Sequence, residues 1–277
     1  MTPRTLLLLA LPLGACQGKF SLAGGPEPDA RLTADVFTWE CQDPYTEQVF
    51  QGVFSFDVSL EYAPDTLQDR VLPGAGGCSE GLSMFPYDAG EGGEDLPGLS
   101  SAPTWTTGDQ SGRFERLGPG FYLDEVLSNV HSCADAAEML GDGLTLDDAG
   151  PLTGVTAPPA GSIAWVDTDI TDDDGDRQIT FGETVDVTWD ASDWDEAWLQ
   201  IRQEREGEAW GTVTCAAGSG DSFTITDDVW DLLNEQLNVE FINLYVGFQN
   251  SDVQETDDGL QVEVVTRGTH VLVVQEL

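Results

Sequence analysis

One segment of the chain carries acidic side chains at a spacing that suits a hard cation. Asp172, Asp174 and Asp176 alternate along the sequence, and Glu183 closes the segment. Gln178 lies between them, where its main-chain carbonyl could supply a further oxygen. Because calcium takes six to eight oxygen ligands in flexible geometry, one turn of chain with this spacing can enclose it. The segment predicts a calcium-binding loop. A solvated acidic turn is the alternative, since aspartate runs arise easily in so acidic a chain.

The twelve-residue calcium loop of EF-hands is a useful comparison for this segment. Asp172, Asp174 and Asp176 match its first, third and fifth positions, and Glu183 matches the bidentate twelfth. The sixth position is Arg177, where the EF-hand loop needs glycine for its sharp turn. The flanking sequences alternate as strands do. We therefore expect a calcium-binding loop between two strands, and no EF-hand domain.

The first sixteen residues have the composition of a bacterial export signal. A basic start precedes an apolar run from Leu6 to Leu13, which is too short to span a bilayer as a helix. The sequence Leu13-Gly14-Ala15-Cys16 follows and resembles the cleavage motif of bacterial lipoprotein precursors. The resemblance implies that residues 1–15 are removed as a signal peptide and that Cys16 becomes an acylated N-terminus. Gln17, in place of aspartate, implies delivery to the outer membrane.

A lipidated Cys16 would hold the protein at a membrane without a transmembrane helix, since two or more acyl chains give a stable anchor. The alternative is an ordinary secretory signal, with Cys16 as a structural residue. Residues 16–30 are rich in glycine and proline, which predicts a flexible tether. No later apolar run reaches the roughly 18 residues that a spanning helix needs. The predicted location is the cell envelope, on the periplasmic or the surface side.

Four further cysteines are candidates for disulfide bonds: Cys41, Cys78, Cys133 and Cys215. An even number in an exported chain favours disulfides, and three connectivities are possible. No CxxC pair occurs, which argues against zinc and against thioredoxin-like chemistry. We expect Cys78 to pair with Cys133. Cys41 and Cys215 would then either join the two halves of the chain or remain buried thiols.

The charge of the chain excludes one class of partner. Its 277 residues include 51 acidic and 10 basic ones, for a formal charge of −41 at pH 7. Without clustered lysine and arginine, the protein cannot neutralise a phosphate backbone, so nucleic acid is excluded. The acids are spread along the whole chain, which predicts a solvated, self-repelling surface. Adaptation to a salt-rich habitat explains this composition, and a cation-binding surface is the alternative.

Alternating apolar residues predict a mainly β fold in two domains. In the N-terminal β-rich domain, residues 31–150, Phe54–Tyr62 alternates without interruption and predicts a half-buried antiparallel strand. Residues 88–112 are rich in Gly, Ser, Pro and Asp, which predicts a long loop. Helical spacing predicts a short helix at 133–140. A proline- and glycine-rich stretch at about 150–160 indicates the domain boundary.

In the C-terminal domain, residues 160–277, short alternating apolar runs with turns between them predict an antiparallel β-sandwich, with one short helix that begins near Thr226. The eight runs are at 163–167, 184–189, 197–203, 210–216, 222–225, 239–248, 259–266 and 270–276. This half resembles the immunoglobulin-like modules of bacterial surface and envelope proteins. The resemblance depends on Gly175-Asp176 and Gly182-Glu183 before a strand. The sequence departs from true immunoglobulin domains because Cys215 is its only cysteine in this half.

Sequence patterns of familiar catalytic sites, such as GxSxG, HExxH, GxGxxG and the P-loop, do not occur in the chain. The eight tryptophans could stack on sugars. However, Trp165, Trp189 and Trp210 occupy strand positions, where burial in the core is the expected role.

Two functions follow from these observations. The whole chain resembles two-domain lipoproteins of Gram-negative, myxobacterial-type bacteria, which implies a location and a fold but no activity. The first hypothesis is a lipid-anchored envelope module without enzymatic activity, stabilised by calcium, that binds an envelope protein or polysaccharide or acts as a spacer. The alternative is a hydrolase that cleaves envelope carbohydrate or peptide through acidic residues.

Overall fold

The computed structural model confirms a mainly β fold with few helices. Within the described ranges, all strand pairs are antiparallel except two, and the helical segments are a 3₁₀ turn at Gly150–Leu152 and the helix α1 (Asp227–Trp230). The structure describes residues 28–42, 49–62, 72–84, 95–99, 103–108, 110–126, 140–168, 178–179, 182–205, 208–218, 220–233 and 241–276.

The centre of the molecule is a ten-stranded sheet that combines strands from both ends of the chain. β1 (Ala30–Gln42) pairs with β2 (Val49–Glu61) in antiparallel fashion and with the last strand, β17 (Gln261–Glu276), in parallel. β17 also pairs antiparallel with β16 (Phe241–Glu255). The other strands are β3 (Cys78–Glu80), β6 (Glu115–Gly118), β7 (Phe121–Val126), β11 (Gln178–Ile179), β13 (Glu196–Arg205) and β14 (Glu208–Gly218).

Two smaller sheets cover one face of this sheet. Val262, Val264 and Leu272 of β17 are an even number of residues apart, so their side chains lie on the same face. Val262 and Val264 belong to one core cluster and Leu272 to another. The first cluster includes side chains from a four-stranded sheet, which consists of β4 (Thr104–Thr107), β5 (Gln110–Arg113), β8 (Leu144–Leu146) and β9 (Thr156–Ala157). The second cluster includes side chains from a three-stranded sheet, which consists of β10 (Ser162–Thr168), β12 (Val185–Ser192) and β15 (Ser222–Ile225).

Each smaller sheet therefore forms a sandwich-like arrangement with part of the large sheet. In the second arrangement, Val187 and Trp189 of β12 pack with Leu199 and Ile201 of β13. Burying such apolar side chains stabilises the fold by about 25 cal/mol per Å² removed from water. The large sheet continues across the stretch at 150–160, since β1 and β2 precede it and β16 and β17 follow it. The predicted division into two domains stays a prediction, but the two segments share one hydrogen-bonded sheet.

The predicted loop at 88–112 is wrong for part of its length. Residues 104–107 and 110–113 form the antiparallel pair β4 and β5. Trp105 of β4 is 1% exposed, and its Nε1 donates to Asp124 Oδ2 at 2.8 Å. The burial of this side chain and the pairing of β4 with β8 outweigh the turn-forming composition of the segment.

The predicted helix after Thr226 is confirmed as α1, with Thr226 in an extended conformation before it and with Val229 and Trp230 buried. The predicted helix at 133–140 lies outside the described residues except for Leu140, which is a buried turn residue. Among the helices of the described ranges, none has the length and apolar character to cross a bilayer.

Gly247 of β16 leaves the space into which the indole of Trp198 packs. A Cβ atom at position 247 would lie 2.0 Å from that ring, and Trp198 is fully buried. We expect Gly247→Ala to lower the free energy of unfolding by about 1–3 kcal/mol, because an overpacked core must shift. Urea denaturation measures this loss. Gly118→Ala is the matched control, since no atom lies within 4 Å of its added Cβ. An equal loss in both variants would contradict the packing argument.

Candidate functional site

The residues predicted to bind calcium are only partly described. Asp172, Asp174 and Asp176 lie outside the described residues, as does Cys16. Gln178 lies in β11, which pairs in parallel with the end of β17. Glu183 is exposed, and its main-chain oxygen accepts a hydrogen bond from Trp230 Nε1 at 2.7 Å. Within the described ranges, no three His, Cys, Asp or Glu side chains group as metal ligands. The calcium loop stays a prediction.

A disulfide bond joins Cys78 to Cys215, and the expected pairing of Cys78 with Cys133 is wrong. β3 and β14 are antiparallel neighbours, and their register places Cys78 directly opposite Cys215, with the Cα atoms 4.0 Å apart. The pairing follows from strand register between residues 137 apart in sequence, which proximity along the chain does not reveal. Cys41 lies in β1, and Cys133 lies outside the described residues.

Beyond the disulfide, residues 81–84 cross the face of the large sheet opposite to the two smaller sheets; we call this segment the strap. Thr214 Oγ1 donates to the Leu82 main-chain oxygen at 2.6 Å. The Met84 main-chain nitrogen donates to Gln200 Oε1 at 2.8 Å, and the Arg267 guanidinium donates to the Met84 main-chain oxygen. Side chains from three different strands thus satisfy main-chain groups of the strap, which buries Leu82 and Met84. Buried polar groups on the sheet have the strap as a hydrogen-bonding partner.

Four polar residues lie side by side on this face, on neighbouring strands; we call them the polar row. Asp35 of β1 is opposite Arg267 of β17, Arg267 is opposite Gln249 of β16, and Gln249 is opposite Glu196 of β13. Arg267 Nε donates to Gln249 Oε1 at 3.3 Å, and Gln249 Nε2 donates to Glu196 Oε2 at 2.9 Å. The row thus forms a chain of charge-assisted hydrogen bonds from a guanidinium to a carboxylate.

Asp35 has an unusual environment for a carboxylate. It is 3% exposed, and Thr269 Oγ1 donates to its Oδ1 at 2.9 Å. Among the described residues, its Oδ2 has no hydrogen-bond partner. Burial raises the pKa of Asp35 from 3.8 to about 6, and the positive charge of Arg267 and the Thr269 hydroxyl limit that rise. Desolvation disfavours the charged form, and it outweighs both favourable interactions here.

Glu196, at the other end of the row, also has a raised pKa, because burial outweighs the hydrogen bond from Gln249. Three strand spacings separate it from Asp35, which places the two backbones about 14 Å apart. Paired carboxylates in glycoside hydrolysis are about 5–9.5 Å apart. Among the described residues, these are the carboxylates with raised pKa values, and the hydrogen-bonded side chains of Arg267 and Gln249 lie between them, which argues against their acting as acid and base on one glycosidic bond.

Asp95 has the opposite shift. Its carboxylate accepts hydrogen bonds from Arg116 Nε at 3.0 Å and from a second guanidinium nitrogen at 2.9 Å. The Gly120 main-chain nitrogen and the Tyr122 hydroxyl also donate to it. These donors, Arg116 above all, lower the pKa of Asp95 to about 2. The exposed ion pair of Asp95 and Arg116 fixes the segment at 95–99 to the edge formed by β6 and β7. Because Asp95 is held as an anion, it is unsuited to donate a proton.

Trp165 and Trp189 differ from each other in burial, although core burial was expected for both. Trp189 is 4% exposed, as predicted, whereas Trp165 is 42% exposed. A break in the β10–β12 register between Ile163 and Trp165 explains the difference. The extra residue changes the face on which the following side chain lies. The expectation for Trp165 is therefore wrong, and the side chain of Trp210 lies outside what the structure describes.

The polar row was not predicted from the sequence. The runs at 259–266 and 270–276 were expected to be two strands, because Arg267-Gly268-Thr269 interrupts the apolar pattern. They form the single strand β17, in which Arg267 and Thr269 are buried and bonded to partners from other strands. The sequence carried one signal for the row, namely that the polar residues Arg267 and Thr269 occupy alternate positions inside an otherwise apolar segment.

A comparison of the sequence with protein-family models and with curated proteins gives no match.

Proposed function

We propose that this protein is a lipid-anchored module of the bacterial cell envelope that binds or spaces other envelope components and carries out no catalysis. The N-terminal sequence ending in Leu13-Gly14-Ala15-Cys16 supports export and lipidation. The sandwich-like pairing of sheets provides a rigid body for binding, and the resemblance to immunoglobulin-like modules is consistent with it. An outer-membrane location fits Gln17 after the acylated cysteine.

The observation that carries the proposal is the Cys78–Cys215 disulfide. Disulfides form and persist in oxidising compartments such as the periplasm and the cell surface, and they are rare in the cytosol. The bond joins two strands of the central sheet and contributes to the core around β13 and β14. Its position in the core supports a structural role in an exported protein, in agreement with the N-terminal motif.

The hydrolase alternative has less support. Asp35 and Glu196 have the raised pKa values that an acid–base pair needs. They lie at opposite ends of the polar row, about 14 Å apart by strand spacing, and Arg267 and Gln249 lie between them. The hydrogen bonds of the row and the strap use these groups to join strands, which is a structural use.

The mature N-terminus tests the proposal directly. Mass spectrometry of the protein from a membrane fraction should show a chain that begins at Cys16 and carries acyl groups. Cys16→Ser should abolish acylation and release the protein from the membrane fraction, because the acyl chains are the anchor. Cys41→Ser is the matched control and should remain anchored. Recovery of the wild-type chain with Met1 and without acyl groups would contradict the proposal.

Calcium binding at Asp172, Asp174, Asp176, Gln178 and Glu183 belongs to the proposal as a stabilising element. At about ten to one hundred times Kd, a single bound ion raises stability by about 1.4–2.7 kcal/mol. We therefore expect the melting temperature to rise by several degrees with calcium and to fall with chelator. The Asp172→Asn/Asp174→Asn variant should lose this response, while Asp227→Asn/Asp228→Asn in α1 should keep it. An unchanged response in the first variant would contradict the site.

A further inference from the structure

The three-stranded sheet has an outer face that is turned away from the core. Alternate residues of β12 point inward, and Asp186 and Asp190 between them are exposed. Trp165 and Asp167 of β10 lie on the same outer face, because they pair with Asp190 and with Thr188 of β12. We call the surface formed by Trp165, Asp167, Asp186, Thr188, Asp190, Ser222 and Thr224 the outer face.

The position of Trp165 on this face follows from the irregularity in β10. Ile163 pairs with Ala191 and packs against the core, and two residues later Trp165 pairs with Asp190 on the opposite side. In a regular strand, residues two apart lie on the same face. The bulge therefore directs the indole outward, at the cost of exposing a large apolar ring. Bulges are over-represented at sheet edges, where β10 lies, and next to functional sites, where they re-aim a side chain.

Polar groups suited to hydroxyl donors surround the indole. Asp190 is directly opposite it on β12, and Asp167 lies two residues farther along β10. Both side chains are exposed, and carboxyl oxygens accept hydrogen bonds; Asp167 Oδ1 already accepts one from the Thr168 main-chain nitrogen at 2.9 Å, which leaves its second oxygen for a ligand. Asp186 is held in place by Thr224, whose Oγ1 donates to its Oδ1 at 2.7 Å. The outer face thus combines one flat apolar ring with acceptor groups on a regular sheet.

We propose that the outer face binds an uncharged polysaccharide, with Trp165 stacked on a sugar ring. This inference rests on the proposed function, because it supplies the ligand class for a binding module. A sugar ring presents C–H groups to an aromatic face and hydroxyl donors at its edge, which matches the indole and the two carboxylates beside it. Net charge restricts the class further: a chain of −41 repels anionic polymers, so uronate, sulfate and phosphate polymers are excluded.

The sheet also lowers the cost of binding. The backbone of β12 is fixed by pairing with β10 on one side and β15 on the other. Val166 and Trp189, next to the outer face in sequence, are anchored in the core. Little conformational entropy remains to be lost on binding, so even a shallow surface can bind an extended chain.

Calorimetric titration of the full chain tests this inference. The probes are two uncharged hexasaccharides, of β-linked glucose and of β-linked N-acetylglucosamine, with an oligogalacturonate of equal length as the anionic probe. At least one uncharged probe should bind the wild type, and the anionic probe should not. Trp165→Ala should weaken that binding at least tenfold, as expected of a central aromatic anchor. Asp190→Asn should weaken it a few-fold.

Val253→Ala is the matched control, since Val253 is 45% exposed on β16 and does not belong to the outer face. Trp165→Ala and Val253→Ala should both melt within about 2 °C of the wild type, because each replaces an exposed side chain. The inference is overturned if neither uncharged probe binds, or if Trp165→Ala binds as tightly as Val253→Ala. Wild-type protein isolated from its native host with Met1 in place and without acyl groups would contradict the anchor; if it still bound the uncharged hexasaccharide, this inference would stand.

Discussion

Removal of the Cys78–Cys215 disulfide should cause the largest loss of stability of any change considered for this protein. We expect Cys78→Ala/Cys215→Ala to lower the free energy of unfolding by about 4–5 kcal/mol, because the bond closes a long loop in the unfolded chain. The loop spans 137 residues. A loss of this size lowers the melting temperature by roughly 10 °C in a chain of this length. Guanidinium denaturation measures it.

The same bond also positions the strap. Cys78 in β3 precedes the turn at Gly81, after which the Leu82 main-chain oxygen accepts a hydrogen bond from Thr214 and the Met84 main-chain nitrogen donates one to Gln200. Reduction of the wild type by a dithiol should therefore reproduce the loss seen in the double variant. Cys133→Ser is the control and should retain the bond, which peptide mapping without reductant shows. If Cys133→Ser loses stability as the double variant does, the assigned pairing is wrong.

Replacement of Arg267 should have the second largest effect, and the effect should depend on pH. Arg267→Met removes the positive charge that favours ionised Asp35 and the hydrogen bonds to Met84 and Gln249, and leaving buried charged and polar groups without their partner costs about 3–5 kcal/mol. Asp35 must be ionised for this loss to be complete. The penalty should therefore be larger above pH 6 than at pH 4–5, since the pKa of Asp35 is about 6.

The direction of the pH dependence follows from the raised pKa of Asp35. The folded protein holds this proton up to about pH 6, whereas an unfolded chain releases it near 3.8. Stability from Asp35 is thus fully present below 3.8 and is lost as the pH rises through 6. The difference amounts to about 3 kcal/mol. Asp35→Asn should remove this part of the decline in urea denaturation between pH 4 and pH 7.

The double variant Asp35→Asn/Arg267→Met separates charge from packing. It leaves no buried carboxylate and no buried guanidinium at these two positions, so it should recover part of the stability that Arg267→Met loses at pH 7. The remaining loss reports the bonds from Arg267 to the strap and to Gln249. A penalty for Arg267→Met that is the same at pH 5 and at pH 8 would contradict the role assigned to Asp35.

Much of the secondary structure was accessible from the sequence because it depends on neighbours along the chain. The alternation of Phe54–Tyr62 predicted most of β2, and the strands predicted between residues 160 and 250 match β10 and β12 to β16. Thr226 marked the start of α1. Period-two alternation is a local property, since it records which side chains point toward a core without saying which strand lies opposite.

The predictions from composition were wrong where a residue distant in sequence supplied a hydrogen bond or a packing contact to a segment whose own residues favour a turn or loop. The polar interruption at Arg267–Thr269 suggested a turn, yet Asp35 and Met84 supply partners that allow the strand to continue. Part of the predicted loop is instead the strand β4, because Trp105 is buried there and donates a hydrogen bond to Asp124. A buried polar group costs free energy only when it lacks partners, and those partners lie elsewhere in the sequence.

Residue counts and short segments were enough to predict that the chain is mainly β and to show that it is strongly acidic, because both properties can be counted or located within a short stretch of sequence. The export signal that the N-terminal segment indicates stays a prediction. The folded structure was needed to show which cysteine pairs with Cys78, which strand lies beside β1, and on which face Trp165 lies. Those outcomes depend on strand register between residues as far apart as Ala30 and Val262. One inserted residue changes such a register, and no local pattern encodes it.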